Sequence, residues 1–150
     1  MNKNIKNLKL EYDTKVAIVG SPYYKSIYDN LLNGTVSELS DHNINVEILN
    51  VEGALEIPSA ISLVKKKFDG FIALGCIIRG ETSHYDIVAE NSAKALSQLG
   101  LDGICIGNGI LTVDNIEQAK ERSDPKLKNK GKYVAKALIS LLLIKQAYNS

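Results

Sequence analysis

Apolar residues fall along this chain in two rhythms. Short runs without polar alternation, VAIV at 16–19 and FIAL at 71–74, predict strands buried on both faces. VEILNV at 46–51 and ICI at 104–106 predict two more. Between them the apolar positions recur every three or four residues. Ile27, Leu31, Leu32, Val36 and Leu39 predict one amphipathic helix, and Ala60, Ile61, Leu63 and Val64 a second. Val88, Ala95, Leu96 and Leu99 predict a third, opened by Thr82, Ser83 or His84. Asp114 and Glu117 have capping-box spacing ahead of a short helix that Asp124-Pro125 ends. The last helix puts Val134, Ala137, Leu138, Leu141 and Leu142 on one stripe, with Ile139, Leu143 and Ile144 off it. A terminal helix apolar on more than one face needs a second covering surface, so another subunit is expected there.

The resulting order is β-α-β-α-β-α-β-α-α, with every connection long enough for a parallel crossover. That predicts an α/β single-domain three-layer sandwich: a four-stranded parallel sheet with helices on both faces, flavodoxin-like by connectivity. Residues 1–13 read as a flexible arm with Ile5 and Leu8 as its contacts, and residues 14–150 as the domain. Loops at the carboxyl edge of such a sheet share a rim, so Tyr23, residues 53–58, residues 79–84 and residues 107–112 are expected to converge.

Composition narrows the function classes. The 150 residues carry 18 basic and 17 acidic side chains, a net charge of +1, which signals neither a nucleic-acid surface nor an acidic tail. Lys65-Lys66-Lys67 lies at a predicted helix end, where lysines favour the dipole and stay solvated. Cys76 and Cys105 lack the spacing of metal or redox pairs and read as buried free thiols. The Asn/Lys-rich start has no apolar core of a signal peptide, and the longest apolar-rich run, 137–144, is too short to span a bilayer. A cytoplasmic protein without membrane association is expected.

The chemistry concentrates in LGCIIRGETSHYD at 74–86. A strand end there, followed by a helix start, presents free N–H groups and a positive dipole end beside His84, which suits an anion. Gly80, Glu81 and Thr82 can offer backbone N–H groups, with the Thr82 hydroxyl as a further donor, while Glu81 must turn away or pair with a cation such as Arg79. Only Arg79 and Arg122 are arginines, against sixteen lysines. His84 can exchange protons near neutral pH and has no Ser or Cys nucleophile beside it, which favours acid/base over covalent chemistry. His42 sits in a turn with no clustered partners and reads as a surface residue. Two further readings stay open on chemistry alone: a noncatalytic flavin- or nucleotide-binding module, and an assembly protein without an active site.

VEGALEIPSAI at 51–61, LGCIIRGETSHYDIV at 74–88, GILTVDNIEQAKER at 109–122 and NKG at 129–131 together resemble the lumazine synthase family, collinearly from about residue 16 to the last helix. The resemblance implies condensation of 5-amino-6-(D-ribitylamino)uracil with 3,4-dihydroxy-2-butanone 4-phosphate, the penultimate step of riboflavin biosynthesis, with no metal or organic cofactor. By motif position it implies that Tyr23 stacks on the pyrimidine ring. Ala54, Leu55 and Glu56 would line the ribityl pocket, and Ile77 and Ile78 would hold the ring system. Gly80, Glu81 and Thr82 would bind phosphate, His84 would carry protons, and Arg122 and Lys130 would arrive from a neighbouring subunit. The family's usual aromatic after the fourth strand is replaced by Asn108, which implies that one wall of the pocket is polar or is supplied from elsewhere. The resemblance implies a homo-oligomer with shared active sites and raises association with riboflavin synthase. SDPKLK at 123–128, unlike the glycine-containing linker of icosahedral shells, favours an isolated pentamer.

Overall fold

The computed structural model describes residue 5, residues 8–11 and residues 13–148. The apolar run at 16–19 forms the centre of β1 (Thr14–Gly20), whose side chains are buried apart from Lys15. It is flanked by β2 (Ile44–Asn50) and β3 (Gly70–Ile78), and β3 pairs with β4 (Cys105–Val113). All three pairings are parallel and the order is β2-β1-β3-β4, so the predicted architecture is the observed one. The chain leaves β1 towards one edge and returns from β2 to the other side of β1. The strand order therefore reverses between β1 and β3, and a crevice opens outside their carboxyl ends.

Helices α1 (Lys25–Leu39), α4 (Ile116–Ser123) and α5 (Lys130–Tyr148) cover one face, and α2 (Glu56–Val64) and α3 (His84–Leu101) the other. Each face has its own core. Val16, Ile18, Ile72 and Leu74 point towards Ile27, Leu31, Leu138 and Leu142, whereas Ala17, Val19, Phe71 and Ala73 meet Ile57, Ile61 and Leu96. This alternation is the period-two pattern of strands covered on both sides. α1 and α5 approach so closely that a Cβ on Gly131 would run into the Leu31 carbonyl, while the buried Thr35 hydroxyl donates to Gly131 O at 3.1 Å.

Several boundaries differ from the sequence pattern. β3 runs four residues past Leu74, and β4 continues to Val113, so Asn108 pairs with Ala73 in mid-strand instead of following the strand. The glycines that suggested strand ends serve close packing: a Cβ on Gly109 would lie 2.7 Å from Leu74 Cδ2, and one on Gly107 would lie 2.7 Å from Val134 O. The cap of α4 is Asn115, whose side chain accepts from Gln118 N–H, rather than Asp114. On α5 the buried stripe is Val134, Ala135, Leu138, Ile139 and Leu142, so Ile139 joins the core while Ala137 and Leu141 face outward. Ahead of β1, Leu10 is buried on the core while Leu8 stays exposed, and Gln146 on α5 accepts from Glu11 N–H and donates to Lys9 O.

Candidate functional site

The crevice is assembled from three loops. After β1, Ser21 is fixed by two bonds: its N–H donates to Leu74 O at 2.9 Å and its hydroxyl to Glu52 O at 3.0 Å. This ties the β1–α1 loop across β3 to the β2–α2 loop and sets Tyr23 near Ala54. Tyr23 is 79% exposed and meets the edge of Tyr24 with ring centroids 5.0 Å apart, so one face of its ring is open for stacking. From the second loop come Glu52, Gly53 and Ala54. From the third come Cys76, Ile77 and Ile78 at the end of β3, then Gly80, Thr82 and His84 at the start of α3. Together they line a cleft of about 310 Å³. Its floor is apolar, with Ala54, Ile77 and Val88 packed as a small cluster under Tyr85.

One end of the cleft is built for an anion. Among the described residues, the N–H groups of Gly80, Glu81 and Thr82 meet no backbone acceptor, and a Cβ on Gly80 would meet nothing within 4 Å. These free donors stand just ahead of α3, beside its positive dipole end. The Thr82 hydroxyl accepts from His84 N–H at 3.3 Å and keeps its own proton to give. His84 opens α3, exposed, on the cleft wall. Of the two alternatives for Glu81, turning away or pairing with Arg79, the first is the observed one: Arg79 is held by Asp114 and Asp86, with Nε 3.0 Å and Nη1 3.5 Å from their carboxylates. Those two acids sit in the first turn of α3 and in the link before α4, both within the arginine's reach. The hydrogen bond that Arg79 Nε–H donates to the Asp114 carboxylate raises the guanidinium pKa above its ordinary value.

Not all of the expected site residues gather here. Leu55 and Glu56 are exposed on the rim and Glu81 points outside, none of them lining the cleft. Asn108, Arg122 and Lys130 line a second hollow, of about 470 Å³, with Ile110, Leu111, Thr112, Lys128 and Tyr133. The two hollows share no lining residue, so the expected convergence of residues 107–112 with the other loops is corrected. Asn108 and its neighbours belong to the middle of an edge strand, not to the rim. Asn129, in the left-handed region at φ 47°, turns the chain into α5 and sets Lys130 at its first position. In this second hollow Arg122 is half-buried, and its Nη1 is buried without a hydrogen-bond partner.

Sequence reasoning missed Ser21, Tyr24, Cys76 and Tyr85 in the cleft, and Lys128 and Tyr133 in the second hollow. The alternation of β3 could have found Cys76, which lies two residues before Ile78 on the same face of the strand. Burial pushes its thiol up to about 11 and keeps it neutral, so it is a wall and not a nucleophile. Tyr24 is likewise raised by burial. Both cysteines are free, as expected. Among the described residues no group of His, Cys, Asp and Glu could hold a metal ion, and no helix is long and apolar enough to cross a membrane.

The family model for 6,7-dimethyl-8-ribityllumazine synthase matches residues 13–146. Similar relatives bear the same name. One from Jannaschia sp. (strain CCS1) is 46% identical over 138 residues, covering 91% of this chain and 78% of the relative. One from Novosphingobium aromaticivorans is 44% identical over 137 residues, covering 90% and 99%. One from Erythrobacter litoralis is 46% identical over 135 residues, covering 89% and 96%.

Proposed function

The chain belongs to the 6,7-dimethyl-8-ribityllumazine synthase family, and from that premise we propose how its two hollows perform the family's reaction. The protein is a transferase of riboflavin biosynthesis. It condenses 5-amino-6-(D-ribitylamino)uracil with 3,4-dihydroxy-2-butanone 4-phosphate to 6,7-dimethyl-8-ribityllumazine, releasing phosphate and water. In the proposed site the pyrimidine lies against the open face of Tyr23 and over Ile77 and Ile78. Its ribityl chain runs towards Ala54, Leu55 and Glu56. The phosphate sits on Gly80, Glu81 and Thr82. Glu56 is brought back over the turn because Gly53 has no side chain, its carboxylate oxygen lying 3.0 Å from where a Cβ would be.

The observation that carries this reading is the separation of the two hollows. The anion cradle is in one, and the buried, unpartnered Arg122 Nη1 is in the other, with Lys130 and Asn108. A buried guanidinium donor without an acceptor is costly unless something meets it, and a phosphate held by the next subunit's cradle is the matching group. The outward side of α5, with Leu141 40% and Ile144 48% exposed, and the open edge of β4 supply a surface for that neighbour. Shared sites around a ring follow, and Pro125 before α5 favours a pentamer over a larger shell. The free thiols support a reducing, cytoplasmic setting.

The uracil amine attacks the ketone and water leaves to give an imine. Phosphate is then eliminated, and the second amine closes the ring on the carbonyl that results, expelling a second water. Each step moves protons rather than forming a bond to the protein, and His84 is placed at the cradle to move them. Bringing two substrates together supplies much of the acceleration. The test is to mix the purified protein with both substrates and follow lumazine absorbance and phosphate release. Stoichiometric formation of both, from a particle whose scattering mass is near five times 16.4 kDa, is expected. Product from a monomer would overturn the shared site, and a megadalton particle would overturn the pentamer.

A further inference from the structure

Arg79 stands immediately before the anion cradle and, though half exposed, meets four partners. Its N–H donates to Val113 O at 2.9 Å, and its Nε donates to Asp114 Oδ1 at 3.0 Å. Its Nη1 lies 3.5 Å from Asp86 Oδ1, and its guanidinium carbon lies 4.3 Å from the centre of the Tyr85 ring. Tyr85 and Asp86 belong to the first turn of α3, whereas Asp114 lies in the link between β4 and α4. Asp114 also donates its N–H to Gln118 Oε1 at 2.7 Å, inside the first turn of the helix that carries Arg122. The planar fork therefore spans the two turns that bound the cradle, a geometry an ammonium group cannot reproduce.

Exposed ion pairs taken singly stabilise a fold by roughly 0–1 kcal/mol, so this convergence is too exposed to be explained by stability. The cradle itself has few other tethers. Among the described residues the N–H groups of Gly80, Glu81 and Thr82 have no backbone acceptors, and the bond between the Thr82 hydroxyl and His84 N–H is long. Donors must be fixed before an anion arrives if binding is to be strong. We propose that Arg79 is a positioning residue of the phosphate site, holding the N–H groups of Gly80 to Thr82 in place through Tyr85, Asp86 and Asp114 while touching no substrate atom. This rests on the assignment of the phosphate to that cradle.

The test compares Arg79→Ala, Arg79→Lys and Gly80→Asp in the assembled enzyme, with both substrates varied and inorganic phosphate as inhibitor. Arg79→Ala is expected to raise the KM for the phosphate substrate and the inhibition constant of phosphate by about 10- to 100-fold. Its KM for the uracil and its thermal midpoint should barely move. Arg79→Lys should recover only part of the loss. Equal losses towards both substrates with a lowered midpoint, full rescue by lysine, or an unchanged phosphate KM would each overturn the proposal. Gly80→Asp separates the two assignments. If it weakens phosphate while Arg79→Ala does not, the positioning role alone fails; if it leaves phosphate binding intact, the cradle assignment fails and takes the positioning role with it.

Discussion

Replacing Arg122 by alanine should weaken substrate capture without weakening the fold. The guanidinium stands in the last turn of α4, where a cation near the negative dipole end contributes about 0.3–1 kcal/mol. Against that, its Nη1 is buried with no acceptor, a penalty of roughly 1–3 kcal/mol that truncation removes. The second effect is the larger, so the thermal midpoint should stay level or rise. Substrate capture moves the other way. A charge-assisted bond from guanidinium to phosphate contributes about 1.5–3 kcal/mol, which corresponds to a rise of roughly 10- to 150-fold in KM for the phosphate substrate. Steady-state lumazine formation at saturating uracil, beside a thermal melt of the same preparation, measures both. An unchanged KM with a midpoint lowered by several degrees would refute the reasoning and make Arg122 a structural residue.

Two further outcomes follow from the cleft. His84→Ala should slow turnover by about 10- to 100-fold without abolishing it, because proximity supplies the rest; single-turnover absorbance decides, and undetectable activity with intact substrate binding would contradict it. Burial raises the Cys76 thiol to about 11 from its ordinary 9.0, so the folded state holds that proton more tightly than the unfolded chain. Its stabilising contribution is complete below about pH 9 and is lost as pH rises towards about 11. Urea unfolding across that interval should show a fall in stability that is smaller in Cys76→Ala; an equal fall in both would count against it.

Much of the fold was legible because burial on both faces leaves an uninterrupted signature, as at Val16 to Val19 and Phe71 to Leu74. Strand ends were not, because Gly75, Gly107 and Gly109 look like turn residues in sequence. In the structure the last two leave room for Val134 and Leu74. Asn108 was misplaced for that reason. On α5 the stripe was set one step off, since residues 137–144 are apolar on more than one face and carry little contrast between them. Tyr23, Ala54, Gly80, Thr82 and His84 came together because the loops that carry them share the carboxyl edge of the sheet, and Ile77 and Ile78, which the resemblance implied, join them from the end of β3. That Arg122 and Lys130 stand apart from them is a property of sheet order, since β4 is an edge strand and no local pattern records which surface an edge faces. The true partners of Arg79 were hidden likewise, because Asp114 is 35 positions away.

The central claim is that each site takes its cradle from one subunit and Arg122 from the next, and subunit mixing tests it directly. Gly80→Asp adds a carboxylate at the cradle, at a position where a Cβ meets nothing within 4 Å among the described residues, and Arg122→Ala removes the opposing donor. The two variants, each nearly inactive alone at low phosphate substrate, are unfolded together and reassembled in equal amounts. If neighbouring subunits share each site, random assembly joins an intact cradle to an intact Arg122 at about one site in four, and about a quarter of wild-type activity should return. Activity no higher than the average of the two separate variants would contradict the shared site.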